Sequence, residues 1–348
     1  MRTICLSLLV TLFTLAFASV GSAQSDDKEN NEKADQLWCQ YSAKEGAGNG
    51  KHVVLISGDD EYRSEEALPM LGKILAVRHG FNCTVLFATN KDGIVQPNHQ
   101  KNIPGMHFLE SADLVVLGLR FRNLPDEDMK YFDEYLESGK PIIAVRTSTH
   151  AFKIPEDRTY AKYSFNSKKE WVGGFGQKVL GDTWISHHGK HGKQSTRGVI
   201  DKDNASHPVL ADVKDVWGPT DVYGIVNLPK TAKVLLHGQV LEGMKPESQP
   251  VDGKVNAPMM PIAWTTTYES KSGKSNRIFC TTMGAATDFQ SADLRRMMVN
   301  ASFWSLDLEP GKGPANVDYV DPYEPTKFGF KSFQKNRKPA FYNLKNSK

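Results

Sequence analysis

Arg146 and His150 stand four residues apart, directly after the apolar run PIIAV at 141–145, with Thr147, Ser148 and Thr149 between them. A guanidinium holds anionic or hydroxyl oxygens and an imidazole moves a proton near neutral pH, so this pair suits acid/base work on a polar small molecule. A second group is SHHGKHG at 186–192, which carries His187, His188 and His191. Neutral imidazoles ligate zinc and similar ions, so the three form a candidate divalent-metal site in which His188 and His191 could chelate one ion. The segment holds two glycines and lacks the spacing of a strong zinc signature. A single histidine acting as acid, base or donor is therefore favoured over a full metal shell, and a plain surface-loop cluster is the structural alternative. A third group is Asp221, Tyr223 and Trp264. Asp221 could orient a histidine and Trp264 could stack on a sugar face, although a tryptophan in a strand is ordinarily core.

Elements must bring these residues together. The short β-branched run after Gly139 reads as a buried strand of a parallel sheet, and ligands of such sheets bind beyond the strands' carboxyl ends. Further strands are predicted at 52–57, 82–88 and 113–119, with helices at 65–79 and 125–137, the second with Asn123 or Asp126 near its start as cap and dipole partner. Strands alternating with helices imply right-handed crossovers and an α/β fold, a flavodoxin-like, doubly wound, mostly parallel sheet. The strand ends then carry Asp59, Asp60, Tyr62 and Arg63, then Arg120 and Arg122, then Arg146 through His150. Carboxylates and guanidinium forks on one rim suit polyhydroxylated or anionic small molecules. Taken singly, Asp59, Asp60 and Arg63 could equally cap or solvate a loop. The Gly-, His- and Lys-rich stretch at 160–206 is too long for an ordinary connection and reads as a functional loop or cap. Its glycine run, Gly173-Gly174-Phe175-Gly176, follows no strand and is a weak phosphate cradle. Apolar runs recur at 233–237, 262–265 and 277–281, and 293–306 has helical spacing.

The remaining bounds are simple. Residues 1–23 have the apolar core and Gly-Ser-Ala ending of a secretory signal peptide cut after Ala23, so the chain is expected to be exported, to the periplasm or beyond. A flexible polar leader is expected at 24–51, with order only near 37–41, then one domain at 52–308 and an extended or disordered tail at 309–348. No later stretch is apolar enough to span a membrane. A net charge of +3 without a basic stripe argues against nucleic acid. Cys39, Cys83 and Cys280 are scattered and permit one bridge at most; Cys83 and Cys280 lie in strand-like runs and read as small buried hydrophobes.

Taken in order, these residues resemble the ThuA-like (trehalose-utilisation) family, related in fold to class I glutamine amidotransferases. The resemblance spans roughly 52–308 and rests on VVLISGDDEYR, IIAVRTSTHAF, the Gly173-Gly174 segment, a histidine at His187 or His188, His207-Pro208, Asp221-Val222-Tyr223, the PIAW ending at Trp264, and Thr282-Met283-Gly284. GDDEYRSEE and NAPMMPIAW look like a secreted branch. The departures bear on mechanism. Amidotransferases have a nucleophilic cysteine where this chain has Arg146, and ThuA-like relatives more often a histidine, so no thiol glutaminase chemistry carries over. Many relatives also have a Gly-His pair where Gly284 is followed by Ala285. The resemblance implies a role in carbohydrate use, including oxidised keto-sugars. The resulting expectation is an enzyme acting on a carbohydrate, a hydrolase or isomerase, with His150 or His188 as acid/base, Asp221 as orienter and Arg146 and Arg120 on oxygens. Asp59, Asp60, Tyr62, Arg63, Thr149, Tyr223 and Trp264 would line the substrate. A non-catalytic carbohydrate-binding protein and an extracellular interaction module are the alternatives.

Overall fold

A computed structural model describes residues 36–345. The expected signal sequence and the leader before Gln36 lie outside the described residues. Ten strands form one sheet: β1 (Trp38–Tyr41), β2 (His52–Gly58), β3 (Asn82–Phe87), β4 (Leu114–Leu119), β5 (Ile142–Val145), β6 (Ser195–Ile200), β7 (Val216–Gly218), β8 (Lys233–Leu241), β9 (Met260–Glu269) and β10 (Ser275–Thr281). Among the described residues three α-helices accompany them: α1 (Ser64–His79), α2 (Asp126–Glu137) and α3 (Ala292–Ser305). The spatial order is β1-β3-β2-β4-β5-β10-β9-β8-β6-β7.

The expectation of a mostly parallel sheet needs correction. Among the described residues, β3-β2-β4-β5-β10 pair in parallel, while β1 on β3 and the whole run β10-β9-β8-β6-β7 are antiparallel. Connection length explains the reversal at β9 and β10. β9 and β10 are joined by the tight turn at 270–274, where Ser270 N and Lys274 O are hydrogen-bonded, and a parallel crossover needs a dozen or more residues. Strand β1 lies within the stretch read as leader, at the place where order was expected.

Alternation along the parallel strands builds two cores. Val53 and Leu55 of β2 face the layer that holds α1 and α3, together with Leu71, Ile74, Met298 and Phe303. Val54 and Ile56 face the opposite layer with Met129, Phe132 and Leu136 of α2 and the aromatic cluster Tyr163, Trp171 and Phe175. A strand buried on both faces must read as a continuous apolar run, and HVVLIS and DLVVLGL do. Helix α1 ends at Gly80, whose φ of 76° lets its N–H reach back to the carbonyls of Leu75 and Ala76. Helix α2 starts after Pro125 with no side-chain cap, so neither Asn123 nor Asp126 caps it. Asp126, Glu127 and Asp128 instead place negative charge in its first turn. Cys39, Cys83 and Cys280 are free and buried. No helix among the described residues is long and apolar enough to cross a membrane.

Beyond Leu308 the chain runs extended along α1. Lys73 Nζ meets Asp321 Oδ2 at 2.6 Å, the Glu66 carboxylate accepts from Thr326 N and Oγ1, and Tyr41 Oη donates to Tyr342 O.

Candidate functional site

The carboxyl ends of β2, β4 and β5 converge as the sequence pattern required, and that of β10 joins them. Thr147 Oγ1 donates to both Asp59 Oδ2 and Leu119 O, Arg120 N to Gly58 O, and Phe121 N to His150 O. Arg146 sits at the sharp turn after β5 with φ of 48°, a conformation that costs a non-glycine residue energy and is kept only where the surroundings enforce it. Here they do. Arg146 N donates to Met283 O, Nη1 to the carbonyls of Asp221 (2.8 Å) and Thr282 (2.7 Å), and Nη2 to Tyr62 Oη and Asp221 Oδ1, both at 3.1 Å. Its guanidinium carbon lies 4.3 Å from the Tyr62 ring centre and 3.9 Å from that of Tyr223. Burial acts to lower its pKa, but the Tyr223 and Tyr62 hydroxyls and Asp221 push it well above the ordinary value, so the group stays charged. With 1% of its surface exposed, Arg146 does not face a ligand as expected; it is the buried anchor of Asp221.

Asp221 passes this anchoring outward. Its Oδ2 accepts from His187 Nδ1 at 2.6 Å and its Oδ1 from His191 Nδ1 at 3.0 Å. Burial alone would raise the Asp221 pKa, but Arg146, then His187 and His191, outweigh it and hold the carboxyl down to about 2. One ionised carboxylate thus orients two imidazoles whose ring centres are 4.9 Å apart. His191 also turns Nε2 toward Glu61 Oε1 at 3.4 Å. The Glu61 pKa is raised by burial and by Asp59. Arg120 closes the circuit: Nη1 binds Asp60 Oδ1 at 2.9 Å and Nε lies 3.8 Å from Glu61 Oε2. Among the described residues His187 Nε2 has no hydrogen-bond partner, and its ring is partly exposed.

The other expected site residues fall elsewhere. His188 donates Nε2 to Val255 O at 2.7 Å, away from its neighbours, so the expected three-histidine metal set does not form. The groups that do converge, His187, His191 and Asp221, have ligand atoms within 4.8 Å of one another. A dication there would stand beside the Arg146 guanidinium and displace both histidine bonds to Asp221, so this donor set fits acid/base work better than a metal. His150 is buried among Phe121, Trp184 and Tyr223, with Nδ1 3.3 Å from Thr149 Oγ1. Burial first, then Arg120 and Arg146, drive its pKa well below the usual value, so it is a neutral ring that Asp221 does not orient. Trp264 is fully buried and donates Nε1 to Leu180 O, which leaves no face for a sugar. Thr149 is likewise sealed in. Asp59 caps its own loop by accepting from Glu61 N and Tyr62 N, and Arg63 is buried with Nη2 on the carbonyls of Asp60 and Gly329. Arg122 turns inward to the carbonyls of Arg120 and His99. Gly176 is packed so closely that a Cβ would stand 2.0 Å from Thr149 O, so the glycine run supports the elbow and cradles nothing.

Sequence reasoning passed over three members. Glu61 lay inside the GDDEYR run, hidden between residues that were singled out. Phe328 and Phe330 come from the tail: Phe328 packs on Tyr62 at 5.5 Å and on His191 at 5.6 Å, and Phe330 lies 4.9 Å from the Arg120 guanidinium.

No family model matches the sequence, and no curated protein does. Among solved structures, the chain is similar to a protein named as ThuA-like from Parabacteroides merdae ATCC 43184, with 15% identity and a TM-score of 0.49, over 83% of this chain and 98% of that one. A second such structure, from Bacteroides uniformis ATCC 8492, gives 16% identity and a TM-score of 0.46 over 79% and 98%. The chain is thus similar to structures named for the ThuA-like family, the family its motifs resemble.

Proposed function

We propose that the chain is an exported ThuA-like enzyme that acts on a carbohydrate, a keto-sugar or glycoside, by acid/base chemistry centred on His187. The observation that carries this reading is the Asp221 carboxylate bridging His187 and His191 while His187 keeps Nε2 free. A carboxylate on Nδ1 fixes the tautomer and aims Nε2, the arrangement a general base requires. His187 would take a proton from a hydroxyl or from a carbon beside a carbonyl, and Asp221 would stabilise the imidazolium formed. Glu61, with its raised pKa, would return or accept a proton through His191. Asp60 and Arg120 would hold substrate hydroxyls at the rim. The flavodoxin-like, class I glutamine amidotransferase-like organisation is part of the same proposal, and the order of the parallel strands supports it: taken in chain order they stand 2-1-3-4-5. Export rests on the signal sequence at 1–23, and mass spectrometry of the secreted chain should place its first residue at Gln24.

The test is product analysis by NMR on glycosides and their keto derivatives. The native protein should turn over at least one of them, and His187→Ala should lose about a hundredfold or more of the rate. An unchanged rate in His187→Ala would overturn the assignment.

A further inference from the structure

The tail segment 326–332 is fastened over the rim. Thr326 N and Oγ1 donate to the Glu66 carboxylate, Gly329 N donates to Glu61 O at 2.7 Å, and Gly329 O accepts from Arg63 Nη2 at 2.8 Å and from Ser332 Oγ at 2.6 Å. Gly329 has φ of 146°, and the two aromatic side chains beside it meet opposite fates. Phe328 is buried against Tyr62 and His191, whereas Phe330 is 55% exposed. A fixed apolar ring with this much surface open to water offers a face to a partner, and a guanidinium backs it. It lies 4.9 Å from the Arg120 guanidinium, which is 4.5 Å from Phe121 on another side and binds Asp60. Arg120 leads on to Glu61, and Glu61 to His191.

We propose that Phe330 is the stacking platform at the rim of the site, where the apolar C–H face of a pyranose ring lies on the phenyl face turned away from Arg120 while its edge hydroxyls reach past the phenyl to Asp60 and Arg120. This rests on the carbohydrate reading above and narrows its ligand to a cyclic hexose unit. Aromatic rings have few rotamers and lose little freedom on binding, and here the tail backbone is already tied down, so the platform is pre-organised. A ring backed on one face by the Arg120 guanidinium, which itself holds Asp60, selects a flat, hydroxyl-rimmed partner on its other face over an open-chain polyol of the same composition.

The experiment is saturation-transfer NMR titration of the full mature chain with methyl α-D-glucopyranoside, trehalose and, as open-chain control, sorbitol. The native protein should bind a pyranoside and not sorbitol. Phe330→Ala should weaken pyranoside binding about tenfold and Phe330→Trp should retain it. Phe330→Leu, which keeps apolar bulk without the π face, should weaken it as Ala does, and Phe341→Ala, at another exposed tail aromatic, should change nothing. Pyranoside binding that survives intact in both Phe330→Ala and Phe330→Leu would overturn the platform and leave the carbohydrate reading standing. A native protein that binds neither pyranoside, or that binds sorbitol as well, would overturn the platform. Failure to bind any of the three, together with no turnover in the product analysis, would overturn both.

Discussion

At the level of single residues, the decisive pair is Arg146 with Asp221. Taking two charges out of water is unfavourable, and the pair persists because every oxygen of Asp221 and both terminal guanidinium nitrogens are engaged. Removing one charge leaves the other stranded, so Asp221→Asn is expected to lose about 3 kcal/mol of stability in denaturant titrations, along with the aim of both histidines. The sign with pH follows from the depressed pKa. The Asp221 contribution is complete above its unfolded value near 3.8 and disappears as pH falls through about 2, so the gap between native and Asp221→Asn should close over that window. Glu65 behaves oppositely. Burial lifts its pKa to about 8 despite Arg63 at 3.6 Å, so its contribution is complete below the unfolded value near 4.5 and is lost as pH rises through 8. Glu65→Gln should therefore remove a decline in stability between those limits, visible in melting curves taken across pH. Much of this was legible. Asp221 as the orienter of a histidine and Arg120 on the rim follow from residue type and place. Which histidine Asp221 orients does not follow, because ring direction in a glycine-containing loop is decided by tertiary partners, here Asp221 for His187 and Val255 O for His188.

At the level of elements, the turn between β5 and the 3₁₀ segment Arg146–His150 depends on what lies behind it. Gly284, with φ of 137°, passes so near that an added Cβ would stand 2.6 Å from Val145 Cβ. Gly284→Ala combines a conformation L-residues avoid with a clash against β5, so a loss of about 2–3 kcal/mol is expected in chemical unfolding, with lowered activity because Arg146 N is tied to neighbouring Met283 O. A stability within about half a kcal/mol of native would show that the elbow can give way. The parallel strands and all three helices were readable within a residue or two, since continuous apolar runs and helical spacing encode burial directly. Strands β6 and β7 were not. β6 is half polar and mostly only partly buried, and β7 is three residues long, so neither alternation nor an apolar run marks them.

Across the whole molecule, the tail is what local patterns could not reveal. It is polar, with several prolines and glycines, and holds no element longer than the turn Pro339–Tyr342, yet it seals α1 and delivers Phe328 and Phe330 to the rim. Its order comes from partners more than 200 residues away in sequence, such as Glu66, Lys73 and Arg63, which no window of sequence contains. Truncation after Leu308 is expected to lower the melting temperature by several degrees or more, at about 2–4 °C per kcal/mol, and to weaken any ligand held at the rim. An unaltered melting curve would mean that the tail only decorates the surface. The central claim, that His187 aimed by Asp221 moves a proton on a sugar, is met most directly by following keto-glycosides in deuterated water by NMR. Native protein should form product or place deuterium at the carbon beside the carbonyl, and His187→Ala and Asp221→Asn should each slow this about a hundredfold or more. Exchange and turnover that are absent in the native protein, or undiminished in His187→Ala, would contradict it.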